Sequence, residues 1–157
     1  MSAKAEQLDK LDSAYRDFRS LIADLPEDAY QEQWLGEWNL SHLLAHMAGW
    51  WREMAPAFQR VADGQRPVPE GVDYSDADTW NDKFAAQAVP GKKALEDWDD
   101  AFRQYRAAAD MLRDDLYGMD PEKGRPRIGD RLLGASGLNH FEEHHPQVKQ
   151  WLGSRGG

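Results

Sequence analysis

The sequence predicts an all-α fold, a four-helix bundle with a short extra connecting helix. Four long segments repeat apolar residues at steps of three and four, which is the period of an amphipathic helix. The alternation typical of β-strands is absent, and loops rich in proline and glycine separate the segments. A chain of 157 residues has the size of one ordinary domain. We therefore expect a single helical-bundle domain over residues 1–157.

The first two helical segments cover the N-terminal third of the chain. Apolar residues recur from Leu8 to Leu25 in the first segment, and a proline follows directly. The second segment comes after WLGEWN, where Asn39 or Ser41 can cap the helix start. Pro56 lies inside this second helix, so we expect a kink or a local break there.

The remaining segments follow a loop, GQRPVPEGVD, that breaks the helical pattern. A short connecting helix is predicted from about Asp76 to Ala88. The third long helix is predicted from about Lys92 to Leu116, and the loop MDPEKGRPRIG follows it. The fourth is expected to begin near Asp130 and to run to about Leu152.

Composition excludes several classes of function. With 28 acidic and 19 basic residues the formal charge is −9, so nucleic-acid binding, which requires concentrated positive charge, is disfavoured. No stretch approaches the ~20 apolar residues of a membrane span, and MSAKAEQLDKLD lacks the apolar core of a signal peptide. We therefore expect a cytoplasmic protein. The absence of cysteine excludes disulfides, thiolate ligands and a cysteine nucleophile, leaving histidine and oxygen donors for any metal.

All five histidines lie in two segments, HLLAH (residues 42–46) and HFEEHHPQV (residues 140–148). At about 100° per residue, His144 falls in the middle of the apolar stripe of the last helix and His140 about 40° away, whereas His145 is rotated by about 100°. On the second helix, His46 borders the apolar arc and His42 points further out. Two imidazoles from one helix and one from another can bind a metal ion and leave positions open for water or substrate.

The spacing of the histidines also bears on which kind of site they form. A histidine on an apolar face is often a hydrogen-bonded core residue, so the five histidines alone do not establish a metal site. A zinc peptidase needs glutamate directly after the first histidine, where this chain has Phe141. A di-iron bundle needs two Glu-x-x-His motifs, and only Glu142 with His145 has that spacing. A mononuclear site is favoured.

The segments WNLSHLLAHMAGWW and GDRLLGASGLNHFEEHHPQVKQWL together resemble the DinB/YfiT-like superfamily of metalloenzymes. Its relatives include the metal-binding domain of mycothiol-dependent maleylpyruvate isomerase and the ClbS/DfsB proteins. The shared pattern is a tryptophan, a polar residue that begins a helix, a histidine about two turns later and His-x-x-x-His on the last helix. Trp38, His46, His140 and His144 match it, and DTWNDKFAAQ resembles the connecting helix of the family.

This resemblance implies an up-up-down-down four-helix bundle, often a homodimer, with a divalent metal ion on three histidines. Zinc or nickel is the usual ion. The ligands carried over are His46, His140 and His144, whereas His42 and His145 match no ligand position. Activities in the family include thiol-dependent transfer or isomerisation, hydrolysis and protection against electrophilic toxins.

The leading functional hypothesis is a metal-dependent enzyme acting on a small electrophilic molecule. A metal on three histidines can lower the pKa of a bound thiol or water, which fits a thiol-dependent S-transferase or isomerase with a low-molecular-weight thiol cosubstrate, or a hydrolase. Glu53, two turns after His46, is a candidate catalytic proton acceptor or fourth ligand, the alternative being an ordinary surface glutamate. The rival hypotheses are a non-catalytic dimeric bundle that sequesters a small toxic molecule and a structural dimer whose histidines satisfy one another.

Overall fold

The computed structural model describes residues 1–155, and the all-α fold class is confirmed. Six α-helices lie in this part of the chain: α1 (Ala3–Ile22), α2 (Leu40–Ala62), α3 (Ala77–Ala85), α4 (Lys92–Met111), α5 (Ile128–Leu133) and α6 (Asn139–Arg155). The four longest, α1, α2, α4 and α6, are the predicted long helices, and α3 is the short connecting helix. None of these helices is long and apolar enough to cross a membrane.

Shorter elements join the helices. Two 3₁₀ turns cover Glu27–Gln31 and Asp114–Leu116, and strands β1 (Met119–Asp120) and β2 (Arg125–Pro126) form an antiparallel hairpin. With two residues in each strand, this hairpin is too short to show the alternation by which a strand is predicted. A π-helical turn, Gly134–Leu138, connects α5 to α6.

The described chain separates into two compact units. The first contains Met1–Asp24 and the chain from Ala109 onward. Its core includes an edge-to-face pair of Phe18 on α1 and Phe141 on α6, whose ring centroids lie 5.7 Å apart. Such aromatic pairs contribute about 0.5–1.5 kcal/mol beyond the burial of their area.

The second unit, Leu25–Ala108, contains α2, α3 and α4. Trp51 is fully buried and packs its ring 5.5 Å from that of Trp98 on α4. On the α3 side, Gly49 permits a close approach of helices, because a Cβ atom at this position would lie 2.2 Å from the Phe84 ring. Glycine is therefore required in α2 by packing against α3.

Helix starts and ends show where the sequence-based boundaries were right and wrong. Asn39, one of the two residues predicted as candidates, is the N-cap of α2. α2 runs through Pro56 as one helix, so the local break considered there does not occur. α4 ends at Met111 instead of near Leu116, and the hydroxyl of the buried Tyr117 donates to the carbonyl of Ala109 in its last turn at 2.7 Å.

The other boundaries differ by a few residues. α1 ends at Ile22 before its expected limit at Leu25, and the last helical stretch begins at Ile128 and continues to Arg155. Fraying turns and local caps set such ends, and apolar periodicity does not record them.

Candidate metal centre

His140 is positioned by the π turn that precedes α6. Within this turn the N–H of Asn139 bonds to the carbonyl of Gly134, five residues back. The Nδ1 atom of His140 lies 2.5 Å from the carbonyl oxygen of Ser136. Because a carbonyl oxygen only accepts hydrogen bonds, Nδ1 must carry the proton. The lone pair of His140 is therefore on Nε2, in the tautomer that a metal-binding histidine uses when its other nitrogen is held by a carbonyl.

The environment of His140 keeps its imidazole neutral. The side chain is 8% exposed, and burial is the main cause that lowers its pKa to about 4. The neighbouring His144 also lowers this pKa, while the hydrogen bond to Ser136 opposes the shift. At pH 7 the ring is neutral, so its Nε2 atom carries no proton that must be lost before it can bind a metal.

His144 lies one turn further along α6 and is 5% exposed. Its Nδ1 atom is 2.7 Å from the side-chain oxygen of Gln147, which fixes the proton on Nδ1 as in His140. The rings of His140 and His144 are nearly parallel, with centroids 5.8 Å apart and planes inclined by 19°. Two hydrogen-bonded imidazoles are thus presented from the same side of α6.

His46 is the buried histidine of α2, with 5% of its surface exposed. Its ring lies 5.3 Å from that of Trp38, which stands just before the start of α2. Trp38 is held by a turn in which its N–H donates to the carbonyl of Leu35 at 2.9 Å. The tryptophan therefore forms part of the wall around His46.

His46, His140 and His144 form a group that could hold a metal ion. One ligand atom from each histidine lies within 4.8 Å of the ligand atoms of the other two. We call this group the histidine triad. Among the described residues, no aspartate or glutamate belongs to it.

The donor set of the triad suits a divalent transition metal. Histidine nitrogens bind zinc at about 2.0–2.1 Å, so three ligands on one ion stand roughly 3.4 Å apart in tetrahedral geometry. The ligand atoms of the triad lie within 4.8 Å of one another, which is near that arrangement. Three neutral imidazoles suit zinc, nickel or iron better than magnesium or calcium, which prefer oxygen ligands.

The other two histidines lie outside the triad, as helical phase predicted. His42 belongs to the capping box of α2, in which its N–H donates to the Asn39 side chain at 2.9 Å and its Nδ1 accepts from the Asn39 N–H at 3.1 Å. His145 is half-buried on α6. Their separation from the triad agrees with their separation from the apolar stripes.

Glu53 is also outside the triad, and its catalytic role stays a prediction. Its carboxylate accepts a hydrogen bond of 2.8 Å from the hydroxyl of Tyr74. The side chain lies in a groove of about 350 Å³ that Arg52 and Asp97 also line. Those two residues form an ion pair with a nitrogen–oxygen distance of 2.8 Å. Glu53 is thus a half-buried carboxylate with access to a groove.

Sequence reasoning missed the groups that orient the imidazoles. Gln147 could have been found, because it lies three residues after His144 on the same helix and this spacing brings side chains together. The carbonyl of Ser136 could not, since GASGL does not reveal a π turn by its apolar pattern. Such outer partners fix the tautomer of a metal-binding histidine, so both belong to the candidate site.

Comparisons with known proteins agree with this architecture. A family model described as the DinB superfamily matches residues 10–147. An uncharacterized protein from Clostridium difficile 630 has a similar structure, with 11% identity, 94% of each chain covered and a TM-score of 0.74. A protein from Streptococcus pneumoniae aligns over 96% of this chain and 90% of its own, with 10% identity and a TM-score of 0.76. No curated protein matches the sequence.

A third similar structure bears the description sibling lethal factor precursor, DfsB. It shares 14% identity with this chain, covers 99% of it and 97% of its own length, and gives a TM-score of 0.78. At these identities the similarity of the three structures is evidence for a common fold, and it is not evidence for a common activity. The family model, in contrast, covers most of the sequence. The chain therefore belongs to the DinB superfamily.

Proposed function

We propose that this protein is a metal-dependent enzyme that binds one divalent ion, zinc or nickel, through His46, His140 and His144. The observation that supports this most is the burial of three imidazoles with ligand atoms within 4.8 Å of one another. Buried imidazoles whose ligand atoms lie this close together can share one metal ion. A protein with three ligands also leaves coordination positions for a reactant, as catalytic sites do.

The proposed reaction is transfer of a thiol to a small electrophilic molecule, or isomerisation through such an adduct. When bound, the ion would supply a lowered pKa for a coordinated thiol or water. Because the chain has no cysteine, the thiol must be a low-molecular-weight cosubstrate. Three neutral imidazoles leave the positive charge of the ion uncancelled, which favours formation of a thiolate. The side chain of Gln147 and the carbonyl of Ser136 hold two of these rings in place.

A turnover assay tests this proposal. Untagged protein supplied with Zn²⁺ or Ni²⁺ is incubated with a chlorodinitrobenzene as the electrophile, with and without cysteine as the thiol. In the expected reaction the thiol sulfur bonds to the ring carbon, chloride leaves, and the thiol proton passes to solvent. Product should exceed one equivalent of protein, should require both thiol and metal, and should disappear in His144→Ala. The matched control is His145→Ala, which changes a neighbouring histidine outside the triad.

Each alternative result points to a different function. Metal-dependent product without the thiol would identify a hydrolase that activates water. Uptake of the electrophile that stops at one equivalent would favour the rival function, a non-catalytic sequestering protein. Turnover that survives in His144→Ala would contradict a role for the triad in catalysis.

We further propose that Glu53 accepts a proton in this reaction, since it is half-buried and lines a groove on the helix that carries His46. General acid–base groups contribute about 10²- to 10⁴-fold to rate. Glu53→Gln should therefore lower the turnover number by a factor in that range, with Glu142→Gln as an exposed control. Unchanged turnover in Glu53→Gln would leave Glu53 only a structural role, as the acceptor of the Tyr74 hydrogen bond.

The family resemblance also supports a cytoplasmic homodimer. Sedimentation measurements can test the oligomeric state.

A further inference from the structure

The loop that follows α2 encloses a second cleft, separate from the histidine triad. This loop cleft has a volume of about 560 Å³. Its lining includes Arg60, Arg66, Val68, Pro69, Glu70 and Val72. Arg60 lies fourteen residues after His46 on α2, which places it about 21 Å further along the helix axis. A small molecule in the loop cleft would therefore not reach His46.

The start of the loop is fixed by the way α2 ends. The N–H of Gln65 donates to the carbonyl of Arg60 at 2.8 Å, and the N–H of Gly64 donates to that of Val61 at 3.0 Å. Gly64 has a φ of 76°, the left-handed conformation that this helix-ending motif requires and that glycine adopts without strain. The backbone around Arg60 is thus held in a defined geometry at the mouth of the cleft.

The guanidinium group of Arg60 is only partly satisfied. Its Nε donates to the carbonyl of Pro67 at 2.8 Å, which ties the side chain to the loop. Its Nη2 atom is buried and has no hydrogen-bond partner among the described residues. Glu53, two turns earlier on α2, accepts from Tyr74 and lines a groove that Arg60 also lines. A donor on a charged group is costly to leave unpaired, so the charge of this arginine is not fully compensated by hydrogen bonds of its own side chain.

The rest of the loop cleft indicates which ligand would fit it. Arg66 adds a second, exposed positive charge, and Glu70 is the single acidic residue in the lining. The cleft therefore has an excess of one positive charge on a chain whose net charge is −9. Val68, Pro69 and Val72 form an apolar wall beside these charges. One unbalanced positive charge next to an apolar wall suits a monoanion with an apolar body better than a multiply charged phosphate.

We propose that the loop cleft binds a small organic carboxylate, with the carboxylate on Arg60 and Arg66 and the apolar body against Val68 and Val72. Guanidinium and carboxylate groups pair through charge-assisted hydrogen bonds, and both arginines line the cleft. Binding at this site requires neither the metal nor the proposed reaction, although Arg60 also lines the groove of Glu53.

Calorimetric titration with benzoate tests the site, with benzamide as a ligand of the same shape that lacks the charge. Wild-type protein should bind benzoate with a dissociation constant of roughly 1 mM or below. Benzamide should bind about tenfold more weakly or worse, because hydrogen bonds between charged groups are stronger than neutral ones. Arg60→Gln should weaken benzoate binding by a similar factor. Arg52→Gln is the matched control, since Arg52 lies on the same helix and is paired with Asp97.

Several results would overturn the proposal. These are no heat of binding with benzoate at roughly 10 mM, equal binding of benzamide, inorganic phosphate binding more tightly than benzoate, or unchanged benzoate affinity in Arg60→Gln. Circular dichroism establishes whether each variant is folded. Should Arg60→Gln fail to fold, the exposed Arg66→Gln decides the matter, because benzoate affinity must fall several-fold in that variant and an unchanged affinity rejects the site.

Discussion

Two segments of this protein carry the same motif, His-x-x-x-His, and use it differently. In α6 both histidines are buried, and each Nδ1 is engaged by an oxygen within the same helical stretch. In α2 the first histidine of the pair, His42, closes a capping box with Asn39, and only His46 belongs to the triad. Identical spacing thus gives a pair of candidate ligands in one helix and a cap with a single candidate ligand in the other.

The position of each motif within its helix explains the difference. His42 is the third residue of α2, where the backbone N–H groups still need partners, so its side chain is drawn to the helix start. His140 follows a π turn within a longer helical stretch, where the N–H groups already have partners, and its ring can turn toward the core. Spacing predicts which side chains share a face, and the distance from the helix start decides what they bind.

The largest effect is expected from removing a histidine of the triad. His144→Ala should weaken zinc or nickel binding by more than about 100-fold, since even the loss of an outer partner costs 10- to 100-fold. Competition with a chromogenic chelator measures the dissociation constant. His145→Ala should bind metal like the wild type, because His145 lies outside the triad. Equal losses of metal affinity in the two variants would contradict the assignment of His144 as a ligand and of His145 as a residue outside the site.

The pH dependence of stability should reflect the burial of His140. In the metal-free protein the pKa of His140 is about 4, below the usual value of 6.5. As the pH falls, this histidine is therefore protonated in the unfolded chain at a higher pH than in the folded protein. The free energy of unfolding should therefore fall from about pH 6.5 to about pH 4, because protons bind the unfolded state more readily in that interval. Urea denaturation after chelator treatment measures this slope. His140→Gln should flatten it, and an undiminished slope in that variant would assign the effect to other groups.

Gln147→Leu tests whether the hydrogen bond to His144 matters for the metal. Loss of such an outer partner should weaken metal binding by about 10- to 100-fold, with little change in folding, because Gln147 is only half-buried. The same chelator competition measures the change. Gln150→Leu, an exposed substitution on α6, is the control. Equal metal affinity in Gln147→Leu and wild type would show that His144 needs no support from this side chain.

The smallest effects concern the capping box. Asn39→Ala should lower the free energy of unfolding by about 1 kcal/mol, the usual cost of losing an N-cap, and should change metal affinity little. His42→Gln should be nearly neutral, because glutamine is a normal capping-box residue at this position. Thermal denaturation and chelator competition on both variants measure the two quantities. A loss of metal binding in His42→Gln that matches His144→Ala would mean that both histidines of α2 are ligands.

Much of the fold was readable from the sequence, because apolar residues at helical spacing predict amphipathic helices wherever the stripe is long. The stripe also separated His140 and His144 from His145, since burial follows helical phase. The end of α4 was not readable, because the apolar pattern continues past Met111, where the chain leaves the α-helix and Tyr117 folds back to bond to Ala109 in the last turn.

The support of the triad was less predictable than its members. A π turn differs from an α-helix by one residue in its hydrogen bonds, and GASGL offers no side-chain signal for that change. The role of His42 was also hidden, because glutamate or glutamine usually fills its place in a capping box. Side chains that bond to nearby backbone depend on local geometry, and apolar patterning does not encode that geometry.

Binding of one metal ion by the histidine triad is tested most directly by metal analysis combined with X-ray absorption. Untagged protein is loaded with Zn²⁺ or Ni²⁺, freed of excess metal, and measured for metal content and for scattering from imidazole ligands. We predict one ion per chain with three histidine ligands, and a loss of both signals in His144→Ala. Fewer than about 0.1 ion per chain after loading, or an ion that remains without histidine ligands, would contradict the proposed site.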